Sequence, residues 1–266
     1  MLTTAALGAL IGLVLAFTGA GGGVLSIPLL VLVLHLPMAE AAPIGLTAVG
    51  LASALGAIMG LRQGIVRYRA ALLIGAMGML AAPAGVWLSH RLPQAPLLAG
   101  MSLLLLWLAW RAWQDARHPG GEPARLDTVP CQVQAPGEPL RWTAPCARAL
   151  AATGLQSGLL SGLVGVGGGF VIVPALQRHT DLDLRSVQAT SLAVIALVSF
   201  SGVGAAIGHG AVNADVALPF AGGAMLALLI GRQWAGLASP ARLKQAFALI
   251  TAVAALLMLA KAAGAM

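Results

Sequence analysis

The stretch Gly19-Ala20-Gly21-Gly22-Gly23-Val24-Leu25-Ser26-Ile27-Pro28 interrupts an apolar run that extends from Ala5 to Leu34. Crossing a bilayer takes about 20 apolar residues. The run is long enough, yet four glycines fall within the five positions 19–23. Glycine tolerates the positive φ that a chain reversal needs, and Pro28 suits the early turns of a new helix, where few N–H groups have partners. The flanking pieces, Ala5–Phe17 and Val24–His35, are each too short to span. Two half-helices joined by a turn at membrane depth are therefore expected. A single long, kinked helix is the competing reading.

The same element returns as Gly165-Val166-Gly167-Gly168-Gly169, followed by Pro174. An ungapped shift of 146 residues lays Gly8/Gly12 on Gly154/Gly158 and continues through Gly56/Gly202, Gly64/Gly210, Val66/Val212, Gly85/Gly231 and Leu97/Leu243. Over 5–113 against 151–259, 28 of 109 pairs are identical and nine of these are glycine. Composition alone would give roughly a tenth. The chain is a duplication.

Composition sets the class. Of 266 residues, 59% are hydrophobic and 9% charged, with a mean hydropathy of +0.92. Soluble domains run nearer about a quarter charged, so a water-soluble globule is excluded, as is a disordered chain. A charge of +7 and a pI of 11.0 would suggest nucleic acid in a soluble protein. Here the 15 Lys+Arg sit in loops between apolar runs, so the expected partner is the lipid bilayer and no nucleic acid. Eight hydrophobic segments result: Ala5–Leu34, Ala41–Leu61, Ala70–Ser89, Ala95–Trp113, Ala147–Leu176, Ser186–Gly208, Ala214–Trp234 and Ala241–Ala262. Residues 1–113 form the first transmembrane repeat, 114–146 a linker rich in Pro, Gly and charge, and 147–266 the second repeat. Cys131 and Cys146 share the polar loop and define no disulfide framework. Met1–Ala20 has no basic n-region, so no cleavable leader is expected.

Charge decides the expected topology. If each glycine-broken run is a re-entrant hairpin, each half keeps three full spans and the repeats are inverted. Thirteen of the 15 cations then share the face that bears the central loop, leaving Arg91 and Lys261 opposite. Eight simple crossings would divide them nine to six. The first split fits the positive-inside rule far better and puts the central loop in the cytoplasm. The expected fold is an all-α polytopic membrane protein of two inverted repeats, each a re-entrant helix pair plus three transmembrane helices.

Irregular backbone at membrane depth persists only where protein buries it or it lines a wet cavity, so paired glycine breaks point to a shared central site. A half-helix start presents unpaired N–H groups and a positive dipole end. The amides around Gly21, Gly22 and Gly23, and around Gly167, Gly168 and Gly169, are expected to hold a small anion between them. No Asp, Glu, Lys or Arg lies centrally in any span, so neutral side chains must supply the other contacts. The candidates are Thr18, Ser26 and Thr47 in the first half and Gln188, Thr190 and Ser191 in the second. The plain alternative for each is a bond to its own helix backbone or a neighbouring helix. Glycine at four-residue spacing, as in Gly8/Gly12, is more often helix packing than a ligand site.

Catalysis finds little support. The five histidines fall at segment ends or in loops, without metal-ligand spacing, and no Walker loop, zincin or Gly-x-Ser-x-Gly motif is present. No cofactor, metal or catalytic residue is expected. Trp107, Trp110 and Trp113 read as an interfacial belt, and Arg67 and Arg69 as anchors able to concentrate anions nearby.

The duplicated Gly-Gly-Gly…Pro elements, with Ala189-Thr190-Ser191-Leu192, resemble the TauE/SafE family of sulfite and organosulfonate transporters. That resemblance covers the chain outside Gln114–Pro145. It implies a bacterial inner-membrane permease or exporter for small sulfur-containing anions, with the motif glycines, Pro28, Pro174, Thr190 and Ser191 in its central region. The chain departs from symmetry at Pro43-Ile44-Gly45, opposite Ala189-Thr190-Ser191. The expected function is a secondary transporter working by alternating access. An anion channel, or an uptake permease for another small organic anion, is the alternative, and a membrane enzyme the third class. Proton coupling has Glu40, His35, His209 and Asp215 as its only titrating candidates near the outer face. Oligomeric state stays open, with a homodimer one form to test.

Overall fold

A computed structural model describes residues 2–19, 21–117, 131, 143–207, 214–234 and 240–262. Among them lie ten helices and no strand: α1 (Leu2–Thr18), α2 (Gly21–Val33), α3 (Met38–Arg62), α4 (Tyr68–Arg91), α5 (Gln94–Arg117), α6 (Ala144–Val164), α7 (Gly169–His179), α8 (Leu184–Ile207), α9 (Ala214–Trp234) and α10 (Pro240–Ala262). Six stretches are long and apolar enough to cross a membrane: Met38–Arg62, Tyr68–Arg91, Ala95–Gln114, Leu184–Ile207, Ala214–Gln233 and Gln245–Ala262. The protein is an all-helical, polytopic membrane protein. Eight hydrophobic segments have become ten helices because each glycine cluster splits its run. Each run is thus two helices, α1 with α2 and α6 with α7, and not one continuous helix.

The breaks follow from local backbone chemistry. Gly19 takes φ +70°, and its N–H still closes α1 by donating to Leu15 O at 2.9 Å. In the second copy Gly165, Gly167 and Gly168 take φ of +76°, +76° and +70°, the left-handed region that a Cβ disfavours. Pro28 and Pro174 lie deeper than the first turn, inside α2 and α7. Each removes one N–H, so the carbonyls of Val24 and Phe170, four residues back, lose their helical partner. At the far end of α2, His35 turns left-handed (φ 53°) and Leu36 N–H bonds Leu30 O at 3.3 Å, before Pro37 opens α3. Asp183 precedes α8 and accepts from Ser186 N–H at 3.3 Å. Burial alone would raise its carboxyl, but hydrogen bonds from Ser186 hold it below the ordinary range.

Glycine seams hold the helices together. A Cβ at Gly8 would strike the carbonyl oxygen of Phe220, and one at Gly12 that of Ala224, so α1 lies almost backbone to backbone on α9. The 146-residue shift turns these pairs into Gly154 on Ile74 and Gly158 on Gly78, where α6 meets α4 in the same way. Lipid tails give no hydrophobic force between helices, so association rests on such close van der Waals fit. The equivalent helices α3 and α8 cross antiparallel, with Gly50 facing Ser199, Gly56 facing Leu192 and Gly60 facing Ala189. Large apolar side chains on α4, α5, α9 and α10, such as Leu80, Leu103, Leu226 and Leu249, remain exposed, as lipid-facing groups would be. Arg111 and Arg117 lie 5.4 and 5.2 Å from the rings of Trp107 and Trp113.

Most of the linker lies outside the described residues, but Cys131 does not. Its N–H donates to His179 O at 3.0 Å, which brings it beside the first turn of α6, and it forms a disulfide with Cys146. Thr143 caps that turn, its Oγ1 accepting from Cys146 N–H at 3.3 Å. Two cysteines in one loop define no disulfide framework from sequence alone, and the structure joins them in a single bridge. Their proximity is set by how the loop docks on α7, which spacing along the chain does not encode.

Candidate functional site

Both breaks arise from helices that turn back on themselves, and they meet. A Cβ at Gly22 would lie 2.7 Å from Ile11 O, and one at Gly168 would lie 2.7 Å from Ser157 Oγ, so α2 packs against α1 as α7 packs against α6. Gly23 presses against the carbonyl of Val166, which joins the first break to the second. Gly19 lies against the side chain of Gln188, and Gly165 lies against Ala42, the shift partner of Gln188. Gly21 opens α2, and Gly169 opens α7. The glycines named from sequence are therefore brought to one place.

The polar candidates divide. Thr18 Oγ1 donates to Val14 O at 2.8 Å, Ser26 Oγ to Gly23 O at 2.7 Å and Thr47 Oγ1 to Pro43 O at 2.8 Å. All three take the backbone bond that a hydroxyl in an apolar helix ordinarily makes. Gln188 Nε2 donates to Phe17 O at 3.5 Å, while Ser191 Oγ lies 2.8 Å from Gln188 O and 3.2 Å from Gly19 O. These two clasp the first break. Thr190 faces elsewhere: its Oγ1 accepts from Arg67 N–H at 3.0 Å, tying α8 to the start of α4. Arg67 Nε is buried there without a partner.

Other hydroxyls stand out. Ser53, Ser157, Ser161 and Ser199 are essentially fully buried, and none has a hydrogen-bond partner. As single serines in apolar helices they do not stand out along the chain. One signal was available, since Ser53/Ser199 is the only pair of hydroxyl residues among the 28 identities between the repeats. Beside the second break, a small cleft runs between the start of α3 and the end of α4, lined by Ala42, Pro43, Ser89, His90, Gly162 and Leu163. Ala42 belongs both to this cleft and to the packing around Gly165.

The candidates for proton coupling keep to the periphery. His35, Glu40 and Asp215 are exposed, and His209 lies outside the described residues. Among the described residues no cluster of three His, Cys, Asp or Glu side chains is placed to hold a metal ion.

Comparison with known proteins fits this architecture. The family model described as sulfite exporter TauE/SafE matches residues 4–258, nearly the whole chain. The chain belongs to the TauE/SafE family. It is also 29% identical over 251 residues to the probable membrane transporter protein YdhB of Bacillus subtilis (strain 168), covering 94% of this chain and 96% of that protein. No solved structure matches it. As a TauE/SafE protein it is a membrane transporter, and the glycine elements that mark its repeats are the breaks described above.

Proposed function

We propose that this TauE/SafE protein is a secondary transporter for a small sulfur-containing oxyanion such as sulfite or an organosulfonate. The observation that carries the reading is the contact of Gly23 with Val166, which makes one region of two half-helix starts. Backbone N–H groups at Gly21, Gly22 and Gly23 and at Gly167, Gly168 and Gly169 form the cradle, and a glycine-only surface lets an anion approach them. Gln188 and Ser191 brace the first break, and Thr190 braces the connection to α4. Ser26 and Thr47, already bonded to backbone, shape the wall. Pro28 and Pro174 are structural. The family description of a sulfite exporter supports the choice of cargo.

The two halves act as inverted repeats, a reading supported by the antiparallel crossing of α3 on α8 and by glycine seams related through one shift. Rocking one repeat against the other exposes the shared site to each side in turn. Outward movement of a monoanion is favoured by an inside-negative potential at ~2.3 kcal/mol per 100 mV. Purified protein in liposomes is expected to show saturable sulfite or sulfonate flux with counterflow. Conductance far above carrier turnover would make it a channel, and no flux of any sulfur oxyanion would end the reading.

Charge asymmetry supports an orientation with the central loop in the cytoplasm of a bacterial cell and Leu36 outside. Disulfides are rare in a reducing compartment. On this orientation Cys131 and Cys146 are thiols in growing cells, closing when the cell is oxidised. A permeant maleimide should therefore label both and an impermeant one neither, while a periplasm-active reporter fused after Leu36 gives signal. A silent reporter together with an oxidised pair would reverse the orientation.

A further inference from the structure

Hydroxyls in apolar helices normally bond the carbonyl three or four residues back, as Ser26, Thr47, Ser102 and Thr153 do here. Ser157, Ser161 and Ser199 do not, although all three are essentially fully buried. They are also not scattered. A Cβ on Gly168 would lie 2.7 Å from Ser157 Oγ, and one on Gly167 would lie 3.4 Å from Ser199 Oγ, so two of the hydroxyls flank the residues that lead into α7. Ser161 follows Ser157 by one turn of α6 and shares its face. The N–H groups of Gly167 and Gly168 donate to no backbone carbonyl among the described residues, and Gly169 opens α7, where the first N–H groups of a helix have no intrahelical acceptor. Donors left unmet in such numbers in one buried place call for an acceptor that satisfies them together.

The first break lacks this equipment. Its counterparts of Ser157 and Ser161 are Ile11 and Leu15, and Gly22 packs on Ile11 O and Leu15 Cβ where Gly168 packs on Ser157. Ser53, the counterpart of Ser199, is also unpaired, but the α1 positions that match Ser157 and Ser161 carry no hydroxyl. The repeats share a backbone plan and differ in the chemistry that lines it.

We propose that Ser157, Ser161 and Ser199, with the amides of Gly167–Gly169, form the anion subsite, and that it selects oxyanions carrying no proton. The proposal rests on the transporter reading and deepens it. No Asp or Glu occurs on α2, α6, α7 or α8, so no carboxylate on these helices is there to accept a hydrogen bond from a protonated ligand. A sulfonate, sulfate or sulfite dianion offers only acceptor oxygens and suits a set of donors. Hydrogenphosphate presents an O–H that would have to face a donor or a hydroxyl already used, and is disfavoured.

The test is flux of sulfite, methanesulfonate, sulfate and phosphate at pH 8 in liposomes containing the full-length protein. Ser157→Ala and Ser199→Ala are each expected to raise the half-saturating sulfite concentration about tenfold, the loss of one hydrogen bond to a charged group, and the double variant further. Ser199→Thr, which keeps the hydroxyl, should stay near wild type. Ser102→Ala, whose hydroxyl bonds Leu98 O on α5, should change nothing. Melting temperatures of the two alanine variants should equal or exceed wild type, because each removes a buried orphan hydroxyl. Wild-type flux with an unchanged half-saturating concentration in the double variant overturns the subsite. Lowered melting with unchanged affinity would make the hydroxyls packing groups and overturn it too. Phosphate carried as well as sulfite overturns the selectivity. If wild type carries none of the sulfur anions, the transporter reading fails first and the subsite with it.

Discussion

Gly223→Leu is expected to yield no folded protein, while Gly222→Leu, one residue earlier, folds at wild-type yield. The two glycines sit side by side on α9, but a Cβ at 223 would strike the carbonyl oxygen of Ala5 and come within 3.0 Å of Ala9 N, whereas a Cβ at 222 meets nothing within 4 Å. Relief at 223 would require α1 to move off α9, opening the whole seam of Gly8 and Gly12. Overpacking a rigid contact costs about 1–3 kcal/mol when neighbours can yield, and backbone yields least. At 222 the exchange gains roughly 1 kcal/mol of helix propensity instead. The counterpart seam behaves alike: Gly158→Leu meets Gly78 O and should fail in the same manner. Size-exclusion profiles and melting curves in detergent check both. A monodisperse Gly223→Leu protein with wild-type melting would mean that the close crossing is not required.

Gly168→Val is expected to abolish transport while leaving protein in the membrane. Two effects add. The residue holds φ +70°, which costs a β-branched side chain about 1–3 kcal/mol, and its Cβ would lie 2.7 Å from Ser157 Oγ and 2.8 Å from Ser157 O. The valine therefore occupies the space in front of the amides proposed to hold the anion. Gly64 separates these effects, because it has the same φ of +70° but nothing within 4 Å of its Cβ position. Gly64→Val should lose stability by a similar backbone term and keep its flux per folded molecule. Equal flux from Gly168→Val and wild type, normalised to folded protein, would remove the cradle from the mechanism.

Much of this was legible beforehand. The glycine clusters and their trailing prolines announced a chain break, because only glycine accepts repeated positive φ without strain, and the duplication announced that the break occurs twice. The small-residue spacing at Gly8/Gly12 and Gly154/Gly158 read correctly as packing. The hydroxyls were harder. Ser26 and Thr47 looked as well suited to a ligand as any, yet both bond their own helix, and Thr190 turned to Arg67 N–H. The disulfide escaped because the partner of Cys146 arrives by docking of Cys131 on the end of α7.

Sequence by itself determined the membrane class, the internal duplication, the two breaks and the family they mark, since hydropathy, glycine placement and repeat spacing are properties of the chain read in order. Only the tertiary structure decided which polar groups are left unmatched. A serine in any apolar helix has a carbonyl of the preceding turn within reach, and whether its proton goes there depends on what the neighbouring helix presents. Ser157 and Ser199 differ from Ser26 in that respect alone, and no pattern along α6 or α8 records it.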